Sequence, residues 1–101
     1  MCVTVEFSRS LTARIGTHEA RVGVREGETL GDVIRRLADE YGPQVRSGLL
    51  ERGRLRSDTI ASREVDGRRQ SITLDTPVES GDTLRFELTS EYRKSRPKQL
   101  A

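Results

Sequence analysis

One stretch of this chain repeats its apolar residues at helical spacing for about three turns: Leu30, Val33, Ile34, Leu37, Ala38 and Tyr41. The spacing predicts an amphipathic helix over residues 30–41. Thr29 stands ready as its cap, Asp32 lies three positions on where a carboxylate suits the positive helix end, and Gly42-Pro43 stops it. A helix with one apolar stripe must lay that stripe on something, and the surrounding sequence supplies the partner.

That partner is built from segments of period two. Val3, Val5 and Phe7 alternate with Thr4, Glu6 and Ser8, predicting a strand from Cys2 to Ser8. After a polar connection, Ala20, Val22 and Val24 alternate with Arg21, Gly23 and Arg25, and Glu26-Gly27-Glu28 makes a turn. Residues 44–58 read as a solvent-exposed crossing with a helical turn at Val45, Leu49 and Leu50. Residues 60–65 read as a strand interrupted by Ser62, Arg63 and Glu64, followed by the hairpin signal Asp66-Gly67 and a return strand begun by Ile72 and Leu74. Leu84, Phe86 and Leu88, alternating with Arg85, Glu87 and Thr89, form the last strand. The fold class is therefore α+β: a mixed sheet of about five strands with one main helix across one face. The expected core is Val3, Val5, Phe7, Val22, Val24, Leu30, Val33, Ile34, Leu37, Tyr41, Ile72, Leu74, Leu84, Phe86 and Leu88.

At 101 residues, 33% of them apolar and 34% charged, the chain has material for one core. A single cysteine, Cys2, and a single histidine, His18, provide neither a disulfide nor a multi-cysteine zinc site, and neither neighbours a nucleophile–base pair. Cys2 is expected to be small and partly buried, and His18 to lie on the surface. Asp32, Asp39 and Glu40 read as helix-supporting charges beside Arg35 and Arg36. No catalytic residue, cofactor or metal is expected, and the protein is not expected to be an enzyme. No run approaches the ~20 apolar residues of a membrane helix, and the N-terminus lacks a secretion-signal pattern, so a cytoplasmic location and no membrane contact are expected. Arg93, Lys94, Arg96 and Lys98 give residues 92–101 a charge of +4, leaving 14 basic against 16 acidic groups in residues 1–91. The expected organisation is a domain over residues 1–90 and a basic, flexible tail over 91–101.

Three separated segments resemble one family. Phe7-Ser8-Arg9-Ser10-Leu11-Thr12-Ala13-Arg14-Ile15-Gly16-Thr17 is similar to its first strand and following Leu-x-x-x-x-Gly-Thr loop. Glu26-Gly27-Glu28-Thr29-Leu30-Gly31-Asp32-Val33 resembles its turn into the helix, and Leu74-Asp75-Thr76-Pro77-Val78-Glu79-Ser80-Gly81-Asp82-Thr83-Leu84 its approach to the last strand. The family is that of the ubiquitin-like β-grasp sulfur carriers of the MoaD/ThiS type, which includes the small subunit of molybdopterin synthase and the thiamine-pathway carrier. The resemblance covers about residues 3–88 and implies a β-grasp fold.

The resemblance also implies chemistry in a flexible C-terminal Gly-Gly, adenylated by an activating enzyme and converted to a thiocarboxylate. Glycine is needed there because the tail threads a narrow channel where a Cβ would collide. Counting from Gly81-Asp82, the pair falls near Tyr92-Arg93, and none of the nine glycines is adjacent to another. The exposed apolar sheet patch that the family offers to partner enzymes falls at about Ser8, Ser71 and Glu87, which are polar. Period-two alternation sets Ser8 and Glu87 opposite the core-facing Phe7 and Phe86. The reading that follows is a non-covalent accessory or adaptor module whose partner is another protein, such as an enzyme subunit or an activating-enzyme-like protein. Its candidate contacts are Ser8, Ser71, Arg85, Glu87, Tyr92, Arg93, Lys94, Arg96 and Lys98. The alternative is a true sulfur carrier serving molybdopterin, thiamine or another thio-metabolite. A third reading joins Arg52, Arg54, Arg56, Arg68, Arg69 and the basic tail into a phosphate- or RNA-binding side. No aromatic is interleaved there for base stacking, and Glu51, Asp58, Glu64 and Asp66 dilute it.

Overall fold

The first and last strands of the domain lie side by side. In a computed structural model that describes residues 1–91, β1 (Cys2–Phe7) and the strand over Thr83–Leu88 pair in parallel, Val5 opposite Leu84 and Phe7 opposite Phe86. Parallel neighbours need a long crossover, and the intervening chain provides it. It forms α1 (Arg9–Ile15), β2 (Glu19–Gly23), α2 (Leu30–Tyr41), α3 (Gln44–Leu49), a two-stranded ribbon of β3 (Leu50–Glu51) and β4 (Arg54–Leu55), then β5 (Thr59–Val65) and β6 (Arg68–Ile72) before β7 (Thr83–Leu88). The five-stranded sheet runs β2-β1-β7-β5-β6, with every pairing antiparallel except β1 with β7.

One face of the sheet is dry. Val3, Val5, Phe7, Ala20, Val22, Ala61, Ile72, Leu84 and Phe86 meet the apolar stripe of α2, and the rings of Phe7 and Phe86 stack with centroids 5.6 Å apart. The α2 start is held by Asp32, whose Oδ2 accepts from the Thr29 N–H at 3.0 Å and from the Thr29 hydroxyl at 3.2 Å. Its end is closed by the Gly42 N–H donating to the Ala38 carbonyl.

Residues 9–15, expected as loop, are helical. Ser8 caps α1, its Oγ accepting from the Leu11 N–H at 3.4 Å, while Gly16, at φ 99°, donates its N–H to the Thr12 carbonyl at 2.8 Å. Leu11 and Ile15, one turn apart, are fully buried. Helix α3 adds Val45 and Leu49, and Gly48 lets it approach α1 so closely that a Cβ there would meet Ile15 Cδ1 at 2.9 Å.

Further expectations need correction. Tyr41, the last residue of α2, is 37% exposed, and Cys2, on the outward parity of β1, is also exposed. The return strand β6 ends at Ile72 instead of beginning there, so Leu74 lies half-buried in the loop that follows. Its position is set by the Asp66-Gly67 turn, since only Ile72 within it is buried. Among the described residues no helix is long and apolar enough to cross a membrane.

If α1 is part of the core, Leu11→Ala should cost about 2–5 kcal/mol in chemical denaturation, as a buried leucine does and a loop leucine does not. Gly16→Ala should cost about 1–2 kcal/mol by forcing a Cβ into the left-handed region.

Candidate functional site

The face of the sheet turned away from the helices is a charged layer. On β7, Arg85 and Glu87 project there, opposite in parity to Leu84 and Phe86. Glu87 is only 1% exposed, because two arginines close over it: Arg69 Nη1 donates to Glu87 Oε1 at 2.7 Å, and Arg85 Nε lies 3.8 Å from Glu87 Oε2. Arg85 Nη1 also lies 3.5 Å from Glu6 Oε1 on the neighbouring β1. The result is a chain of alternating charge, Glu6–Arg85–Glu87–Arg69, laid across the outer face. Arg69 stands opposite Glu64, and Glu87 opposite Ile60, so their bond crosses β5 diagonally over Ser62. Ser62 is buried there, its Oγ without a hydrogen-bond partner among the described residues, as is Arg85 Nε.

The second feature is the exit of β7. Residues 89–91 turn helical, and Glu91 folds back so that its Oε1 accepts from the Leu88 N–H at 2.8 Å, the reach of a capping-box glutamate to the residue before the first helical position. The same carboxylate accepts from the Ser8 hydroxyl at 2.6 Å and the Ser10 N–H at 3.4 Å. Burial raises the Glu91 pKa, but the hydrogen bonds from Ser8, Leu88 and Ser10 outweigh it and bring the value down to about 2. Ser8 thus works in both directions, as the α1 cap and as a donor to the chain leaving β7.

These placements revise the expected docking patch. Ser8 lies beyond the end of β1 and is buried, and Glu87, though on the outer face, is sealed by its arginines. Ser71 is exposed on the edge strand β6, and Arg85 is half-buried. Tyr92, Arg93, Lys94, Arg96 and Lys98 lie outside the described residues. The arginine-rich turns do not meet: Gly53 and Arg54 face Thr73–Asp75, past the end of β6, whereas Arg68 and Arg69 open β6 at its other end. Arg56 is paired with Asp58 at 3.3 Å, and Arg69 with Glu87. Sequence reading missed the role of Glu91, although Leu88-Thr89-Ser90-Glu91 carries the spacing of a helix start with glutamate at its third position. No group of three or more described His, Cys, Asp or Glu side chains is arranged to hold a metal ion.

Solved structures share this architecture. The small archaeal modifier protein 1 of Haloferax volcanii superposes with a TM-score of 0.72 at 21% identity, over 85% of this chain and 92% of that one. A putative molybdopterin converting factor subunit 1 from Pyrococcus furiosus gives 0.61 at 16% identity, over 87% and 97%. A chain of the BexX/CysO complex of Amycolatopsis orientalis gives 0.65 at 20% identity, over 83% and 91%. The chain has the ubiquitin-like β-grasp fold. No family model matches the sequence, and comparison with curated proteins finds no match. On this β-grasp body the outer sheet face is closed by ion pairs, and the last strand runs into a helical turn.

The Glu91 carboxylate titrates lower in the folded chain than its ordinary value of 4.5. Its stabilising contribution is therefore complete above about pH 5 and lost as pH falls toward 2. Glu91→Gln should flatten that part of the stability–pH curve, and Ser8→Ala, removing cap and donor together, should cost about 0.5–2 kcal/mol near neutral pH. Glu87→Ala, which strips Arg69 and Arg85 of their shared carboxylate, should cost about 1–3 kcal/mol in urea denaturation.

Proposed function

We propose that this protein is a non-covalent, protein-binding module on a ubiquitin-like β-grasp body. The observation that carries the reading is the exit of β7. A carrier of this fold needs an extended tail with paired glycines. Here residues 89–91 are helical, and Glu91 is tied to Ser8 and Leu88. The partner is another protein, met through exposed positions such as Ser71, through Arg85, and through Tyr92, Arg93, Lys94, Arg96 and Lys98. The domain proper ends near residue 90.

A second reading, a sulfur carrier, is supported by the likeness to a molybdopterin converting factor subunit and to the BexX/CysO complex. The two differ in one covalent event. Incubation with a carrier-activating enzyme, ATP and a sulfur donor, followed by intact-mass analysis, is expected to return an unchanged chain. An oxygen-for-sulfur mass increase or an acyl-adenylate would overturn the non-covalent reading. Affinity purification from the native host with full-length protein and with protein truncated before Tyr92 is expected to recover a partner. Recovery of the same partner by both forms would remove the tail from the interface.

A further inference from the structure

The sheet has two edge strands, β2 and β6, and they differ in how their outward backbone groups are used. The Phe7 N–H donates to the His18 carbonyl at 2.9 Å and the Val24 N–H to the Met1 carbonyl at 3.0 Å. His18, Ala20, Val22 and Val24 therefore face β1, and Glu19, Arg21 and Gly23 face outward. Side chains close much of that edge. Thr17 Oγ1 donates to the Glu19 carbonyl at 2.9 Å and accepts from the Glu19 N–H at 3.4 Å, while Arg36 Nη1 donates to the Gly23 carbonyl at 2.5 Å. Arg21 is left between two occupied neighbours.

Strand β6 is not closed in this way. The two-residue turn Asp66-Gly67 makes Val65 and Arg68 a hydrogen-bonded pair, so by alternation Gln70 and Ile72 also bond to β5. Arg69 and Ser71 then point their N–H and C=O groups outward, and no hydrogen bond from another described residue reaches these four groups. The next outward position is occupied: the Thr73 N–H donates to Thr76 Oγ1 at 3.0 Å, and the Thr73 carbonyl accepts from the Thr76 N–H at 3.1 Å. The usual guards of a free edge are missing as well. β6 contains no proline or lysine, its register with β5 runs one to one without a bulge, and the Arg69 guanidinium is drawn over the outer face to Glu87. Gln70 and Ser71 are exposed and uncharged.

We infer that β6 pairs antiparallel with β6 of a second copy of the chain, across a twofold axis at Gln70. Only this register uses every open group: Arg69 of each copy stands opposite Ser71 of the other, and the two pairs exchange four backbone hydrogen bonds. A register centred on Arg69 would set Ser71 against the Gly67 turn, and one centred on Ser71 would set Arg69 against Thr73, whose groups are taken. The two Gln70 side chains meet across the axis as a close, non-hydrogen-bonded pair, where their amides bond to each other. Like charges stay apart. Arg68 of each copy faces Ile72 of the other, which puts the two Arg68 residues roughly 13 Å apart along the ladder, and each Arg69 keeps its own Glu87. A β6 edge laid on β2 of a second copy would instead extend without closing, and the Thr17 and Arg36 bonds obstruct it. With four backbone bonds the pairing is weak, with a Kd on the order of 0.1–1 mM. It does not depend on how the exit of β7 is used.

The test follows the full chain from about 10 μM to about 1 mM by sedimentation velocity and by amide hydrogen exchange. A concentration-dependent shift toward the dimer is expected, with exchange at Arg69 and Ser71 slowed about twofold or more at the upper end and exchange at Arg21 unchanged. Gln70→Glu and Gln70→Lys each place like charges across the axis. Each alone is expected to keep the chain monomeric over the whole range, and an equimolar mixture of the two to dimerise again. Because Gln70 is exposed, neither should move the thermal midpoint by more than about 3 °C, which separates lost pairing from lost fold. Ser71→Pro, which removes an outward N–H that the fold does not use, should also abolish the pairing. A chain that stays monomeric at about 1 mM, a dimer that the single Gln70 variants leave undiminished, or a mixture that fails to reassociate would overturn the inference.

Discussion

The parallel register between β1 and β7 sets everything else. With Phe7 opposite Phe86 and Val5 opposite Leu84, the apolar parity of both strands turns toward α2, and the same register puts Glu6 beside Arg85 on the other side. A slip of one residue would expose the stacked phenylalanines and bury the charges, so the dry core and the charged layer are two consequences of one alignment. Because the paired strands come from the two ends of the domain, the register can form only when the crossover through α2 is in place. The gain from burying side chains such as Phe86, about 1.5–3 kcal/mol each, is tied to that long-range closure.

The outer face shows what a β-grasp sheet does when that face is not apolar. Burying Glu87 costs solvation, and its bonds to Arg69 and Arg85 return much of that cost without a large surplus. The network's contribution is to geometry: Arg69 on β6 reaches Glu87 on β7 across β5, so three strands are tied by one side-chain bond. Ser62 is small because the bond passes above it.

Much of this was legible in the sequence, for identifiable reasons. The helix 30–41, the alternation in β1, β2 and β7, and the Asp66-Gly67 turn announce themselves, because each has one wet and one dry side or a backbone demand that few residues meet. Helix α1 was written in equally plain signs, Ser8 before it, Leu11 and Ile15 a turn apart and Gly16 after it, but seven residues are too few to show a period. Strand β5 was obscured by Ser62, Arg63 and Glu64. Their alternation is between a core-side position and a charged layer, and charged-layer burial has no hydropathy signature. For the same reason Ser8 and Glu87 look like surface residues in sequence and are buried in the fold: each is covered by a partner more than fifteen residues away, Glu91 for Ser8 and Arg69 for Glu87.

The exit of β7 joins the two ends of the domain a second time. For the chain to leave β7 in an extended form from residue 89, Glu91 would have to release the Leu88 N–H and the Ser8 hydroxyl. Ser8 is buried at the start of α1, so its hydroxyl would lose the carboxylate it donates to, and Leu88 would lose the acceptor of its N–H. An unsatisfied buried donor costs about 1–3 kcal/mol, a penalty that falls on Ser8 and in smaller part on the half-buried Leu88, and it opposes extension at this point. Hydrogen bonding at Glu91 therefore holds the exit of β7 in its helical turn and fastens it to the start of α1.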